Sequence, residues 1–371
     1  MSGKPVELEL TTDWLPPAGQ PLIIAGPCSA ETEEQVLQTA RAISRIPGVT
    51  VFRAGIWKPR TRPHDFAGVG IPGLHWLRRV KEETGLKVAI EVANANHVYE
   101  ALKFGVDVLW VGARTTVNPF SVQEIANALQ GADATVLVKN PMNPDLQLWI
   151  GALERLNNAG ITRLGAIHRG FSTYEKTPYR NAPRWEIPIE LKRQLPDLPL
   201  LCDPSHISGS RKYLHELSQT AYDLAMNGLM IESHIRPEAA LSDAGQQLLP
   251  EELADLLDSL QFRTGVPANG GSGVLLEVMR QQIDFIDHEL LEVISRRASL
   301  VDRIGHFKKT HNMTILQVRR WEQLLEDRLK RAKLIGLDEQ FVREFYQIIH
   351  RHSIRIQSAI MNTPLEESKA S

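Results

Sequence analysis

The sequence predicts an α/β chain in two parts, a (β/α)8 barrel followed by an all-α, three-helix unit. Three observations carry this. From Leu22 onward, short β-rich runs alternate with amphipathic stretches, and the strand-then-helix units number eight, enough to close a barrel. The strand runs are apolar on both faces, as strands covered by helices must be. Beyond the stretch RTGVPANGGSG at 263–273 the strand signal stops and only helical periodicity remains. An open doubly wound sheet is the alternative, but it would show fewer strands and a Gly-rich dinucleotide turn after the first, which is absent.

The predicted strands are 22–26, 49–54, 87–92, 108–111, 135–139, 163–168, 198–202 and 229–232, separated by helical stretches such as 31–46, 74–84, 97–104, 146–158 and 213–226 and followed by 251–262. In the helical part, residues 274–299 carry Leu276, Met279, Ile283, Ile286, Leu290, Leu291 and Ile294 on one stripe, and the helix is expected to run on to Lys309. Two more helices are expected at 317–335 and 338–360. The implied division is an N-terminal arm (1–21) that could add one edge strand, a barrel (22–262), a linker (263–273), a helical unit (274–362) and a tail (363–371). Three helices of unequal length make a bundle that calls for a partner to close its core.

Net charge is −2, which argues against a general nucleic-acid or membrane-surface role. Cys28 and Cys202 are too few for a disulfide framework. The first residues lack a signal-peptide apolar core and no apolar run is long enough for a bilayer, so a cytoplasmic, reducing compartment is expected.

Catalytic groups in such a barrel sit at the C-terminal strand ends. Those ends read GPCS, Arg53 with KPRT, Glu91, GAR, Lys139, HRG, DPSH, and Glu232 with Ser242-Asp243. Two sets emerge. Arg53, Lys58, Arg60, Arg114, Lys139 and Arg169 are cations that would repel one another unless multiply charged anions bind among them. Any one of them alone is as well explained as a salt-bridged surface residue. Cys28, His206, Glu232 and Asp243 offer a thiolate, an imidazole and two carboxylates, a ligand mix for a divalent ion whose identity stays open, Mn2+ or similar. Singly, Cys28 and His206 are more often core residues; their strand-end placement favours ligation.

In order and approximate spacing these motifs resemble the 3-deoxy-D-arabino-heptulosonate 7-phosphate (DAHP) synthases, in the shorter, simpler branch of that superfamily. The resemblance implies joining phosphoenolpyruvate to erythrose 4-phosphate. It implies Cys28, His206, Glu232 and Asp243 as metal ligands. Arg53, Lys58, Arg114, Lys139, Arg169 and the Gly112-Ala113 backbone become phosphoenolpyruvate contacts, and Arg60 and Thr61 aldose-phosphate contacts. Lys58 is a candidate proton carrier, and Glu91 would orient or accept a proton. His168 departs from relatives that carry Cys or Glu near this arginine. Two rivals remain. One is an octulosonate phosphate synthase-type barrel using a five-carbon sugar, disfavoured by Pro59-Arg60-Thr61. The other is a Schiff-base aldolase using Lys139 or Lys58, which would leave the Cys/His/Glu/Asp set without a purpose.

The helical segment carries Arg280, Arg297, Lys308, Arg320, Ser353 and Gln357. Arg297 and Lys308 are about three turns apart and can share a face. On composition alone these cations are a solvated face. From Glu277 to Ser358, however, the segment resembles an all-helical chorismate mutase. That implies Arg297, Lys308, Arg320, Ser353 and Gln357 in a pocket for chorismate and prephenate, with Arg280 supplied to a neighbouring subunit of a homodimer formed through this unit. Gln317 and Trp321 stand where many relatives are acidic, so a non-catalytic sensing and dimerising module is the alternative. A fusion of this kind implies feedback on the barrel by ligands of the helical unit.

Overall fold

The computed structural model describes residues 6–60, 62, 64–174, 176–263 and 270–363. Its strands are β1 (Leu22–Gly26), β2 (Val49–Arg53), β3 (Lys87–Val92), β4 (Val108–Val111), β5 (Thr135–Lys139), β6 (Leu164–His168), β7 (Leu200–Cys202) and β8 (Gly228–Glu232). They pair in parallel, each with the next, and β8 returns to β1 to close the barrel. All eight predicted strands are present, with ends shifted by a residue or two. Alternate residues divide the core. Ile24, Val51, Trp110, Leu137, Ile167 and Met230 fill the barrel interior, while Ile23, Phe52, Ile90, Val136 and Ile231 pack under the helices.

Local chemistry starts the helices at the C-terminal rim. Thr32, Asn94, Asn118, Asp145 and Asp203 each accept a backbone N–H at a helix N-terminus. Besides the short turns Ala113–Thr116 and Pro204–Ser208, two longer helices not named from the sequence appear, Pro119–Leu129 and Glu186–Gln194. The first carries a readable cap and N1 proline; in the second, Pro188 interrupts the pattern.

The arm contributes no strand among its described residues, 6–21. It crosses the N-terminal end of the barrel instead. Asn157 binds Glu9 through both backbone groups, Arg163 clasps Asp13, and Trp14 and Leu15 pack against the interior layer. The closed barrel leaves no edge for a further strand to pair with, so the arm covers the floor instead.

The chain divides into two compact units after Gly265. The second unit has three helices, Gly270–Thr310, Val318–Leu334 and Glu339–Asn362. The first begins inside the stretch expected to break any helix. Glycine costs only about 1 kcal/mol per residue against alanine, and the apolar run behind it propagates the turn. Its predicted stripe is exposed in the single chain, with Ile283, Ile286 and Leu291 more than half accessible. No helix among the described residues is long and apolar enough to cross a membrane.

Candidate functional site

The strands deliver the expected groups to one rim. Cys28 follows β1, Arg53 ends β2, Glu91 lies near the end of β3, Gly112-Ala113-Arg114 follows β4, and Lys139 ends β5. Arg169 follows β6, His206 lies on the short helix Pro204–Ser208 after β7, and Glu232 ends β8. Asp243 stands in a left-handed conformation (φ 51°) on the β8 loop. The donor atoms of Cys28, His206, Glu232 and Asp243 all lie within 4.8 Å of one another.

The surroundings of this set are polar and largely satisfied. Glu232 accepts from Arg53 Nη2 (3.1 Å) and from Gln246 Nε2 (2.7 Å) and lies 3.7 Å from His206 Nε2. Asp243 accepts from Arg180 Nη1 (2.7 Å) and from the Cys28 thiol (3.2 Å). Burial lowers the His206 pKa against the opposing pull of the Asp203 and Glu232 carboxylates. Burial, reinforced by Glu232, pushes the Cys28 thiol up to about 12. Burial works against ionisation of Glu232 and Asp243 too, but His206 and the arginines Arg53 and Arg180 hold both below the usual carboxylate range. A buried thiol beside two carboxylates ionises readily only when a bound cation displaces its proton to solvent, and a neutral imidazole with two carboxylates would complete a borderline ligand set. The residues therefore fit a divalent ion.

The cations surround this set. Arg53 is 1 % exposed, lies 5.1 Å over the Trp110 ring, and leaves Nε and Nη1 without partners. Unpartnered buried guanidinium N–H groups are costly until an acceptor meets them. Lys139 donates to Asp203 Oδ2 (2.6 Å) and also lies over Trp110. Lys58 donates to the Cys28 carbonyl (2.8 Å) and Sγ (3.1 Å). Burial opposes its charge, yet Cys28, Glu91 and Glu232 raise its pKa, which keeps the ammonium protonated. Arg169 donates to Asn181 Oδ1 (2.8 Å); burial, with Arg180 and Arg114 adding like charge, brings it down to about 10. Arg169 thus feels the charge of both Arg180 and Arg114, an arrangement that suits a polyanion. Arg60 is half-buried and donates to the Phe66 carbonyl (2.7 Å). Thr61 lies outside the described residues.

Gly112 shows how tightly this rim is built. A β-carbon there would lie 2.0 Å from Glu91 Oε1. The glycine is there for close approach, since its backbone (φ −72°, ψ 157°) suits any residue. A separate 390 Å3 cavity lies at the N-terminal end, between Trp14, Lys87, Asp133 and Arg163. It holds closed ion pairs of Arg163 with Asp13 and Asp133 and none of the strand-end groups.

In the helical unit, Arg297 Nη1 donates to Ser353 Oγ (2.9 Å), joining first and third helices. Gly305 lets those helices approach: a β-carbon there would lie 2.7 Å from Ile360 and 3.3 Å from Gln357. Lys308, one turn on, is buried and donates to the Ile315 carbonyl (2.6 Å). Gln357 is buried with its amide oxygen unpartnered. Arg320 is exposed on the second helix beside Trp321, whose ring stacks on His350 of the third at 4.0 Å. Gln317 is the exposed cap residue of the second helix. Arg280 is not brought to this group. It lies about 25 Å from Arg297 along the same helix, with only Glu277 as an ion-pair neighbour among the described residues.

Two family models match separate stretches of the chain. Residues 10–264 match the DAHP synthetase I family model, more than half of the chain. The chain belongs to the DAHP synthetase I family. Residues 279–358 match chorismate mutase type II, so this family member is a bifunctional enzyme, an aldol-type transferase joined to an isomerase. The phospho-2-dehydro-3-deoxyheptonate aldolase of Thermotoga maritima is 34% identical over 250 residues, covering 67% of this chain and 72% of that one. A 2-dehydro-3-deoxyphosphooctonate aldolase of Desulfotalea psychrophila is 27% identical over 268 residues, covering 67% and 92%. A crystal structure of the Thermotoga maritima DAHP synthase superposes with a TM-score of 0.58 at 31% identity, covering 65% of this chain and 68% of that one.

Sequence reasoning gave no role to several groups in this DAHP synthetase I barrel. Asp203 was visible only as part of DPSH, yet it is fully buried and touches both Lys139 and His206. Gln246 and Gln247 hold Glu232 and the Cys28 backbone N–H, respectively. Arg180 lies in the long loop after β6, where no periodicity marks it. His168 turns away from the mouth toward Phe171 and Trp185.

Proposed function

We propose that the barrel condenses phosphoenolpyruvate with erythrose 4-phosphate to DAHP and phosphate, using a divalent ion held by Cys28, His206, Glu232 and Asp243. The observation that carries this is the four-donor cluster set directly against the buried, partly unpartnered guanidinium of Arg53. When bound, the ion supplies Lewis acidity toward the aldehyde. Arg53, Arg114, Lys139 and Arg169, with the Gly112-Ala113 backbone, grip the enol phosphate; Arg60 and Thr61 receive the second phosphate. The work is positioning two polyanions whose repulsion would otherwise keep them apart. Carbon 3 of the enol attacks the aldehyde carbon, water adds at carbon 2, and phosphate departs. Lys58 Nζ holds the proton delivered to the new alkoxide. Glu91, fixed against Gly112, orients the water. The four-carbon sugar is favoured over the five-carbon one by Pro59-Arg60-Thr61, and the higher identity to the heptonate relative agrees.

In the helical unit, Arg297, Lys308, Arg320, Ser353 and Gln357 hold chorismate while it rearranges to prephenate, a reaction that needs a cationic, preorganised pocket and no nucleophile. The separation of Arg280 from Arg297 and the exposed stripe around it support a homodimer in which Arg280 serves the neighbouring chain's pocket. Prephenate binding at the helical unit slows the barrel, which would make the fusion regulatory in the cytoplasm. The test is to assay the full-length protein for both reactions with and without a chelator. Condensation should stop and return with divalent metal while mutase turnover continues. A metal-free protein with full condensation activity would overturn the metal assignment.

A further inference from the structure

The Asp203 carboxylate occupies a place that the reaction chemistry alone does not call for. It is fully buried. Its Oδ2 accepts from Lys139 Nζ at 2.6 Å and lies 2.8 Å from His206 Nδ1. That second approach is off the line of the ring N–H, a close polar contact and not an aligned hydrogen bond. Its Oδ1 accepts the His206 backbone N–H at 3.0 Å, and its own N–H donates to the His168 carbonyl at 2.7 Å, which anchors it to β6. One oxygen is therefore shared by the lysine assigned to phosphoenolpyruvate and by the ring of a proposed metal ligand.

We propose that Asp203 is a positioning residue that couples metal binding to phosphoenolpyruvate binding. This rests on the assignment of the metal and enol-phosphate sites above. The His206 ring turns Nε2 toward Glu232 and Nδ1 toward Asp203. A carboxylate on the far nitrogen fixes the orientation of a ligating imidazole and strengthens it as a donor. Lys139 competes for the same oxygen. An anion arriving at the ammonium draws Lys139 away and leaves Oδ2 to His206, so the ion is held more tightly. Reciprocity requires the ion to tighten the enol phosphate by the same factor.

The probe is Co2+ titrated into the metal-free full-length protein and followed by its thiolate charge-transfer absorbance, with and without saturating phosphoenolpyruvate. In the wild type, phosphoenolpyruvate should tighten Co2+ about fivefold or more. Asp203→Asn keeps the Oδ1 cap but faces Lys139 and His206 with an amide. It should weaken Co2+ about 10- to 100-fold and bring the ratio with and without phosphoenolpyruvate to about one. Lys139→Gln approaches from the other side, which covers the case of an Asp203 variant that does not fold. With the competing ammonium gone, it should tighten Co2+ in the absence of phosphoenolpyruvate to about the wild-type value in its presence, again with a ratio of about one. A wild-type ratio of one, unchanged Co2+ affinity in Asp203→Asn, or coupling that survives in either variant overturns the proposal. A wild-type protein that binds no Co2+ overturns instead the metal site on which it rests.

Discussion

Gly112→Ala isolates catalytic positioning from folding. The backbone there is ordinary extended structure, so alanine adds no dihedral strain. Its β-carbon would sit 2.0 Å from Glu91 Oε1, well inside van der Waals contact, so the carboxylate must retreat by more than about 1 Å. Glu91 is half-buried and its carboxylate is the end of a flexible chain, so the stability cost should stay near the low end of overpacking, about 1 kcal/mol. Catalysis is less forgiving. Misplacing a reacting group by about 1 Å costs on the order of 100-fold, or about 2.7 kcal/mol of barrier. Steady-state condensation kinetics and a thermal melt on the same preparation separate the two. The expected result is kcat down about 100-fold with a melting temperature within a few degrees of wild type. Full activity would show that Glu91 does no positioning work, and a collapse of the melting temperature would show that the rim cannot yield as its exposure implies.

Cys28→Ala should abolish condensation without unfolding the barrel, measured by activity beside circular dichroism; retained turnover would remove Cys28 from the ligand set. Arg297→Ala should lower mutase turnover by about 100-fold or more and spare condensation, while Arg114→Ala should do the reverse; loss of both activities in either folded variant would argue against two independent sites. Prephenate should inhibit condensation in the full-length protein and not in one truncated after Gly265; equal rates with and without it in the full-length protein would leave two tethered enzymes. His168 is buried, neither ring nitrogen has an aligned partner, and burial brings its pKa down to about 3, with Arg169 adding to the effect. The unfolded chain, titrating near 6.5, takes up the proton first, so stability falls as pH drops below 6.5 and keeps falling to about 3. Between pH 7 and 5 this amounts to about 2 kcal/mol. Urea melts of His168→Phe should show a correspondingly smaller loss over that interval, and an unchanged loss would place the acid sensitivity elsewhere.

The linear pattern determined the eight strands, their closure and the rim residues, because strand period and β/α alternation are local properties and the barrel sends every strand's C-terminal end to one face. Cys28, Arg53, Lys139 and Glu232 could be picked from chain order alone for that reason. Arg280 could likewise be set apart from Arg297, since spacing on one helix fixes distance. Tertiary structure decided the rest. Trp14 lies in an arm to which the sequence gives no role, and it packs against the barrel's interior layer only once the eight strands have closed. Asp203 is visible in the sequence only within DPSH; the structure makes it the cap of the helix Pro204–Ser208, and its contact with Lys139 crosses from β5 to the loop after β7, which no local pattern carries. Arg180 reaches Asp243 across a gap of 63 residues from a loop without periodicity. Propensity and period report on neighbours a few residues away, whereas the partner of a buried charge is set by which strand ends the closed barrel places side by side.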